Sequence, residues 1–86
     1  MENKVLVKLT MPEIDESFDI FIPVNETLWK VVKMMIKSIN DIINTNFNMN
    51  NDYVLINKDN SRIYKNNEIV IETDIRNATE LILISK

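Results

Sequence analysis

Glycine is absent from all 86 residues, and so are cysteine and histidine. At average usage a chain this long would carry roughly six glycines. Their absence removes phosphate-cradling loops, dinucleotide fingerprints and the strained nucleophile elbow, all of which need a residue without a Cβ where backbone approaches ligand or turns sharply. Without histidine the usual general base and nitrogen ligand for metals are gone. Without cysteine there is no thiolate nucleophile, disulfide framework or Cys-type zinc site, and a reducing cytoplasm is the expected setting. No enzyme activity, cofactor or metal is expected from such a set. Left-handed turns are expected to fall to Asp and Asn, the latter present thirteen times.

Long hydrophobic runs are also missing. The longest, Leu81 to Ile84, has four residues, against roughly 20 needed to span a bilayer. No basic stretch followed by an apolar run opens the chain, so neither a leader nor membrane insertion is expected. Basic residues are outnumbered by acidic ones, 10 to 13, for a net charge of −3. Affinity for nucleic acid requires a clustered positive surface, so nucleic acid is not an expected partner. The length predicts a single domain over residues 1–86.

What is present is patterned. From Lys4 to Met11, Val5, Val7, Leu9 and Met11 alternate with Lys4, Leu6, Lys8 and Thr10, the period of a strand. After "PEIDE", the segment "SFDIFIPV" alternates again, with Phe18, Ile20, Ile22 and Val24 on one side; the two strands predict a β-hairpin with a loop longer than the tight two-residue kind. From Thr27 to about Asn44 the period becomes helical. Leu28, Val31, Val32, Met35, Ile36, Ile39, Ile42 and Ile43 share an arc of about 140°, with Lys30, Lys33, Lys37, Asp41 and Asn44 opposite. Thr27 or Asn25 suits the N-cap and Asn44 or Asn46 the C-terminal stop. "NTNFNMNND" reads as a loop with Phe47 and Met49 as plugs over the core. "YVLIN" and "SRIY" read as a hairpin or a strand with a short edge strand, and "ELILIS" as a final strand. The segment between them, "KNNEIVIETDIRNAT", reads as irregular chain or a short helical turn.

In so short a chain the helix has one partner for its apolar arc, a face of the sheet. The apolar run of the last strand places it centrally, beside the first. The expected architecture is therefore α+β: a β-grasp, with a mixed sheet of four to five strands and one amphipathic helix packed across it.

"PVNETLWKVVKMMI", "YVLINKDNSRIY" and "IETDIRNATELILI" resemble the corresponding stretches of the ubiquitin-like superfamily, and the likeness covers nearly the whole chain. Phe18-Asp19-Ile20, Pro23, Leu28 with Val31-Val32, Asn67, Ile69, Ile75 and the closing Leu81, Leu83 and Ile84 are more closely similar to the YukD/EsaB family, small ubiquitin-like proteins associated with type VII secretion in Gram-positive bacteria. The chain departs from that family at Asn77-Ala78-Thr79, where a glycine-aspartate turn commonly stands. The resemblance implies a non-conjugated cytoplasmic accessory whose partner is a protein, the cytoplasmic part of the secretion machinery. Two other readings remain. A modifier or sulfur carrier of the same fold needs a flexible diglycine tail, whereas here Ile84 is followed by Ser85 and Lys86; a structural homo-oligomer needs a self-complementary surface.

The parity of the strands singles out candidate contact residues. If Val5 and Val7 face the helix, Leu6 faces away; the same rule turns Phe21, Ile82 and Ile84 outward. These four on three neighbouring strands are expected to form one apolar docking patch. The alternatives are a homodimer seam or a cover supplied by residues 65–72. Trp29, at the margin of the helical arc, is a second candidate contact, weighed against simple coverage of the core edge. Lys30, Lys33 and Lys37 read as a solvent face. Glu13, Asp15, Glu16 and Asp19 lack the spacing of a calcium loop and read as a solvated, acidic loop.

Overall fold

The computed structural model describes residues 3–48 and 52–86; Met49, one of the two expected plugs, lies outside them. Strands β1 (Lys4–Met11), β2 (Glu16–Pro23), β3 (Tyr53–Asn57) and β4 (Glu80–Ser85) form one sheet in the order β2-β1-β4-β3, and helix α1 (Leu28–Ile43) follows β2. β1 pairs antiparallel with β2 and parallel with β4, and β4 pairs antiparallel with β3. The sheet is thus mixed and four-stranded, with β1 and β4 at its centre as the apolar run of β4 requires.

Alternation decides which side chains enter the core. Val7, Leu9 and Met11 of β1, Phe18, Ile20 and Ile22 of β2, Leu55 of β3, and Leu81 and Leu83 of β4 are all buried. They meet Leu28, Val31, Met35, Ile36 and Ile39, the buried stripe of α1. Val32 and Ile43 pack at the margin of this core, as does Phe47. Ile42 does not join it. Although it lies within the helical arc by angle, between the buried Val31 and Met35, it is 62% exposed; it stands in the last turn of α1.

α1 begins after Thr27, which has the extended backbone of an N-cap but makes no side-chain capping bond. It ends at Asn44, which adopts the left-handed conformation (φ 55°) and donates its N–H to the Asn40 carbonyl. The Asn40 side chain clamps the exit, accepting from the Thr45 hydroxyl and the Phe47 N–H at 2.9 Å each and donating to the Phe47 carbonyl. Asp15 and Asn44 fill left-handed positions as the missing glycine requires, but so do Ser61 and Ala78, which the composition did not single out.

Among the described residues, there is no fifth strand. Residues 62–64 touch β3 through a bridge between Ile56 and Ile63, with the Asn57 N–H donating to Arg62 O and the Tyr64 N–H to Leu55 O. A polar network, buried at Asn57 and Tyr64 and open to solvent at Asp74, anchors this strap. The Tyr64 hydroxyl accepts from Asn57 Nδ2 (3.1 Å) and donates to Asp74 Oδ1 (2.5 Å), while Arg62 pairs with Glu68 (2.7 Å) and Asp74 (3.4 Å). The following segment is irregular, with one 3₁₀ turn at Val70–Glu72. It lies at the start of α1, not over the outer sheet face: Leu28 and Trp29 donate backbone N–H groups to Glu68 and Asn66, and Val70 donates to Glu26.

Candidate docking surface

The face of the sheet turned away from α1 is organised in rows set by strand register. In one row Leu6 stands opposite Phe21, respectively 37% and 64% exposed. In the next, Lys8 lies between Asp19 and Glu80, and Glu80 pairs with Lys58 at 3.5 Å. The third runs Ser17, Thr10, Ile82, Ile56, with Ile63 bridged beyond. Ile84 and Val54 are opposed in the row after that.

The four outward residues therefore do not make one patch. Leu6 and Phe21 form one apolar group; Ile82 and Ile84, both half-buried, form another with Val54, Ile56 and the exposed Ile63. The charged row separates them, and four residues along a strand, from Leu6 to Thr10, span roughly 13 Å. Val54, Ile56 and Ile63 were not among the sequence candidates. Val54 and Ile56 carry the same signal as Ile82, since "VLI" doubles an apolar strand, and Ile63 joins only through the tertiary bridge.

A groove of 580 Å³ opens beside Leu6, lined also by Val7, Lys8, Asp19, Asn77, Ala78 and Glu80. Its wall is the turn before β4. The Leu6 N–H donates to Asn77 Oδ1 (2.9 Å) and the Ala78 N–H to the Leu6 carbonyl (2.8 Å), so a side-chain amide completes the edge of β1 where β4 has not yet begun. Ala78 holds φ 72° there, in the region that favours glycine.

Trp29 stands apart, on the helical layer. The residue is 44% exposed, and its ring lies beneath two ammonium groups, Lys33 Nζ at 5.3 Å and Lys30 Nζ at 5.7 Å from the ring centre. Lys30 also pairs with Glu26 at 3.6 Å. The acidic loop divides similarly: Glu13 accepts from the Ser85 N–H (2.7 Å) and hydroxyl, which ties the loop to the end of β4 and holds its carboxyl below the usual range. Among the described residues, no group of three or more Asp and Glu is placed to hold a metal ion, and no helix is long and apolar enough to cross a membrane.

No family model matches the sequence, and no curated protein does so at a significant level. Solved structures do match in shape. A chain of the MycP5-free ESX-5 inner membrane complex aligns with a TM-score of 0.78 and 12% identity over 98% of this chain, which spans only 21% of that one. The ubiquitin-like domain of EccD5 from Mycobacterium xenopi aligns with a TM-score of 0.77 and 11% identity, covering 96% of this chain and 94% of that one. The ubiquitin-like domain of Plasmodium falciparum Dsk2 gives 0.73 and 13%, covering 96% and 99%. Sheet order, single crossing helix and these neighbours agree: the chain has the ubiquitin-like β-grasp fold.

Proposed function

We propose that the protein is a non-catalytic, non-conjugated docking module, a cytoplasmic accessory of a type VII secretion system of the YukD/EsaB kind. Its partner is a cytoplasmic part of that machinery, contacted through the outer face of the sheet. The observation that carries the reading is Phe21, 64% exposed beside Leu6 and a groove on a face that neither α1 nor the 65–72 segment covers. A solvent-exposed aromatic next to an apolar neighbour and a recess is the arrangement of an interface anchor. Support for the setting comes from neighbours of the same fold, one an EccD5 domain and one within an ESX-5 inner membrane complex.

The test is affinity capture from a native membrane lysate with the wild type and with Phe21→Ser combined with Ile82→Thr. Capture of secretion-machinery components is expected to weaken by about tenfold or more, the effect of losing roughly 1.4 kcal/mol at an anchor. Folding stability is expected to change little at Phe21, where the side chain is mostly in water. On denaturing gels the protein is expected at its own mass. Undiminished capture by the double variant would place the docking surface elsewhere, with Trp29 and the lysines beside it as the next candidate.

A further inference from the structure

The two edges of the sheet are treated differently. At β3 the outward backbone groups are used, because Leu55 and Asn57 bond to Tyr64 and Arg62 of the strap. At β2 they are not. The Val24 N–H donates to Asn3 O, and the register then points the backbones of Ile22, Ile20 and Phe18 toward β1. Ser17, Asp19 and Phe21 consequently turn their N–H and C=O groups away from the sheet, and among the described residues these groups have no hydrogen-bond partner. Pro23 lacks an N–H and closes the open stretch. An open row of backbone donors and acceptors is a template for one kind of occupant, another extended chain.

The rows across the outer face say what that chain should carry. The charged row alternates, Asp19, Lys8, Glu80, Lys58, and it ends at the open edge on an acid. Among the described residues Asp19 makes no ion pair. Opposite charges across neighbouring strands stabilise a sheet and like charges oppose it, so the residue set against Asp19 is a lysine or arginine. The row of Phe21 and Leu6 continues with an apolar residue. The row of Ser17 and Thr10, whose hydroxyls share a 3.0 Å hydrogen bond, continues with a small or hydroxylated one. A second copy of β2 does not meet this specification: the two-fold antiparallel pairing that engages all three outward residues sets Asp19 against Asp19 of the other copy.

We infer that the outer edge of β2 is a strand-addition site for an extended segment of a partner protein, with a basic residue opposite Asp19 and an apolar one opposite Phe21. This rests on the docking reading for its partner, and it shares Phe21 with that surface, but the backbone of β2 is its binding element.

The test is titration of the isotopically labelled full chain with a capped peptide, Ser-Ser-Ile-Val-Lys-Val-Thr-Ser-Ser, and with its counterpart carrying Glu in place of Lys. The amides of Ser17, Asp19 and Phe21 are expected to shift and to exchange more slowly with solvent. The Lys peptide is expected to bind about tenfold more tightly than the Glu peptide. Asp19→Lys reverses that preference, Asp19→Asn abolishes it, and N-methylation of the peptide amides facing β2 removes binding. Equal binding of the two peptides, or no response of these three amides up to the solubility limit, would overturn the inference. A response confined to Leu6, Ile56 and Ile82 would overturn it too while leaving face docking intact. A response at the edge with undiminished lysate capture by the Phe21→Ser, Ile82→Thr variant would refute the face instead.

Discussion

Ala78 occupies a left-handed backbone conformation at φ 72° with its Cβ in place. An L-residue there costs about 1–3 kcal/mol, whereas glycine adopts the conformation freely. The conformation persists because the turn is held at several points: Asn77 and Ala78 bond to Leu6, and Arg76 and Thr79 bond to each other. Ala78→Gly is therefore expected to raise stability by about 1 kcal/mol in denaturant unfolding, after the added freedom of the unfolded chain is subtracted. Thr27 is a second unrelieved residue. Its hydroxyl is buried and has no hydrogen-bond partner among the described residues, and an orphaned buried hydroxyl costs about 1–3 kcal/mol. Thr27→Val keeps the shape and removes the hydroxyl, for an expected gain of about 1 kcal/mol; Thr27→Ser keeps the orphan and gains nothing. A loss on Thr27→Val would show that the hydroxyl stabilises the start of α1 after all.

At the scale of elements, charge and hydrogen bonding hold the irregular chain between β3 and β4, and the loop between β1 and β2, to the regular part. Glu68 is drawn below the usual carboxylate range by the Lys65 N–H and then by Arg62, and Asp74 by the Tyr64 hydroxyl and then by Asn60. Glu13 is lowered by the Ser85 N–H and hydroxyl. Each of these groups binds its proton more weakly folded than unfolded. Their contribution is thus complete above the ordinary carboxylate range, near pH 4, and is lost as pH falls through the lowered values. Tyr64 has the opposite sign. Burial, aided by its bond to Asp74, raises the phenol to about 12. Since an unfolded tyrosine ionises near 10, stability falls as pH climbs from about 10 to 12. Tyr53, raised mainly by burial, adds in the same direction. Denaturation midpoints measured across pH are expected to fall at both ends. Glu68→Gln should flatten the acid limb and Tyr64→Phe the alkaline one, and unchanged limbs would mean that the strap is not held by this network.

For the molecule as a whole, the separation of the two apolar groups has a measurable consequence. Phe21 and Ile82 lie in rows roughly 13 Å apart along the strands, with the charged row between them. Sites more than about 7–10 Å apart without shared partners act independently. The losses of capture for Phe21→Ser and Ile82→Thr are accordingly expected to add, to within about 0.5 kcal/mol, in the double variant. Strong non-additivity would mean that a single partner group bridges the charged row. Strand parity made both residues legible, since each is a large apolar side chain on the polar side of an alternating or doubled strand. Their separation was not legible, because parity assigns a face but carries no register between strands distant in sequence.

Side-chain periods are local to the chain, and they determined the elements. Alternation made the two strands of the hairpin, the helical stripe made α1, and an apolar run on both sides placed β4 at the centre beside β1. These are local consequences of side-chain geometry and need no distant contact. Three things waited for the tertiary structure. Ile42 is in the apolar arc yet exposed in the last turn of α1, because angular period assigns a side of the helix but not where along its axis the helix leaves the core. Residues 62–64 touch β3 through a single bridge and do not extend it as a strand, and Tyr64 is fixed by side-chain bonds to Asn57 and Asp74 that strand period does not signal. The open edge of β2 follows from which strand lies on its other side, and among the described residues none does; strand order is a property of the folded sheet, which no local pattern encodes.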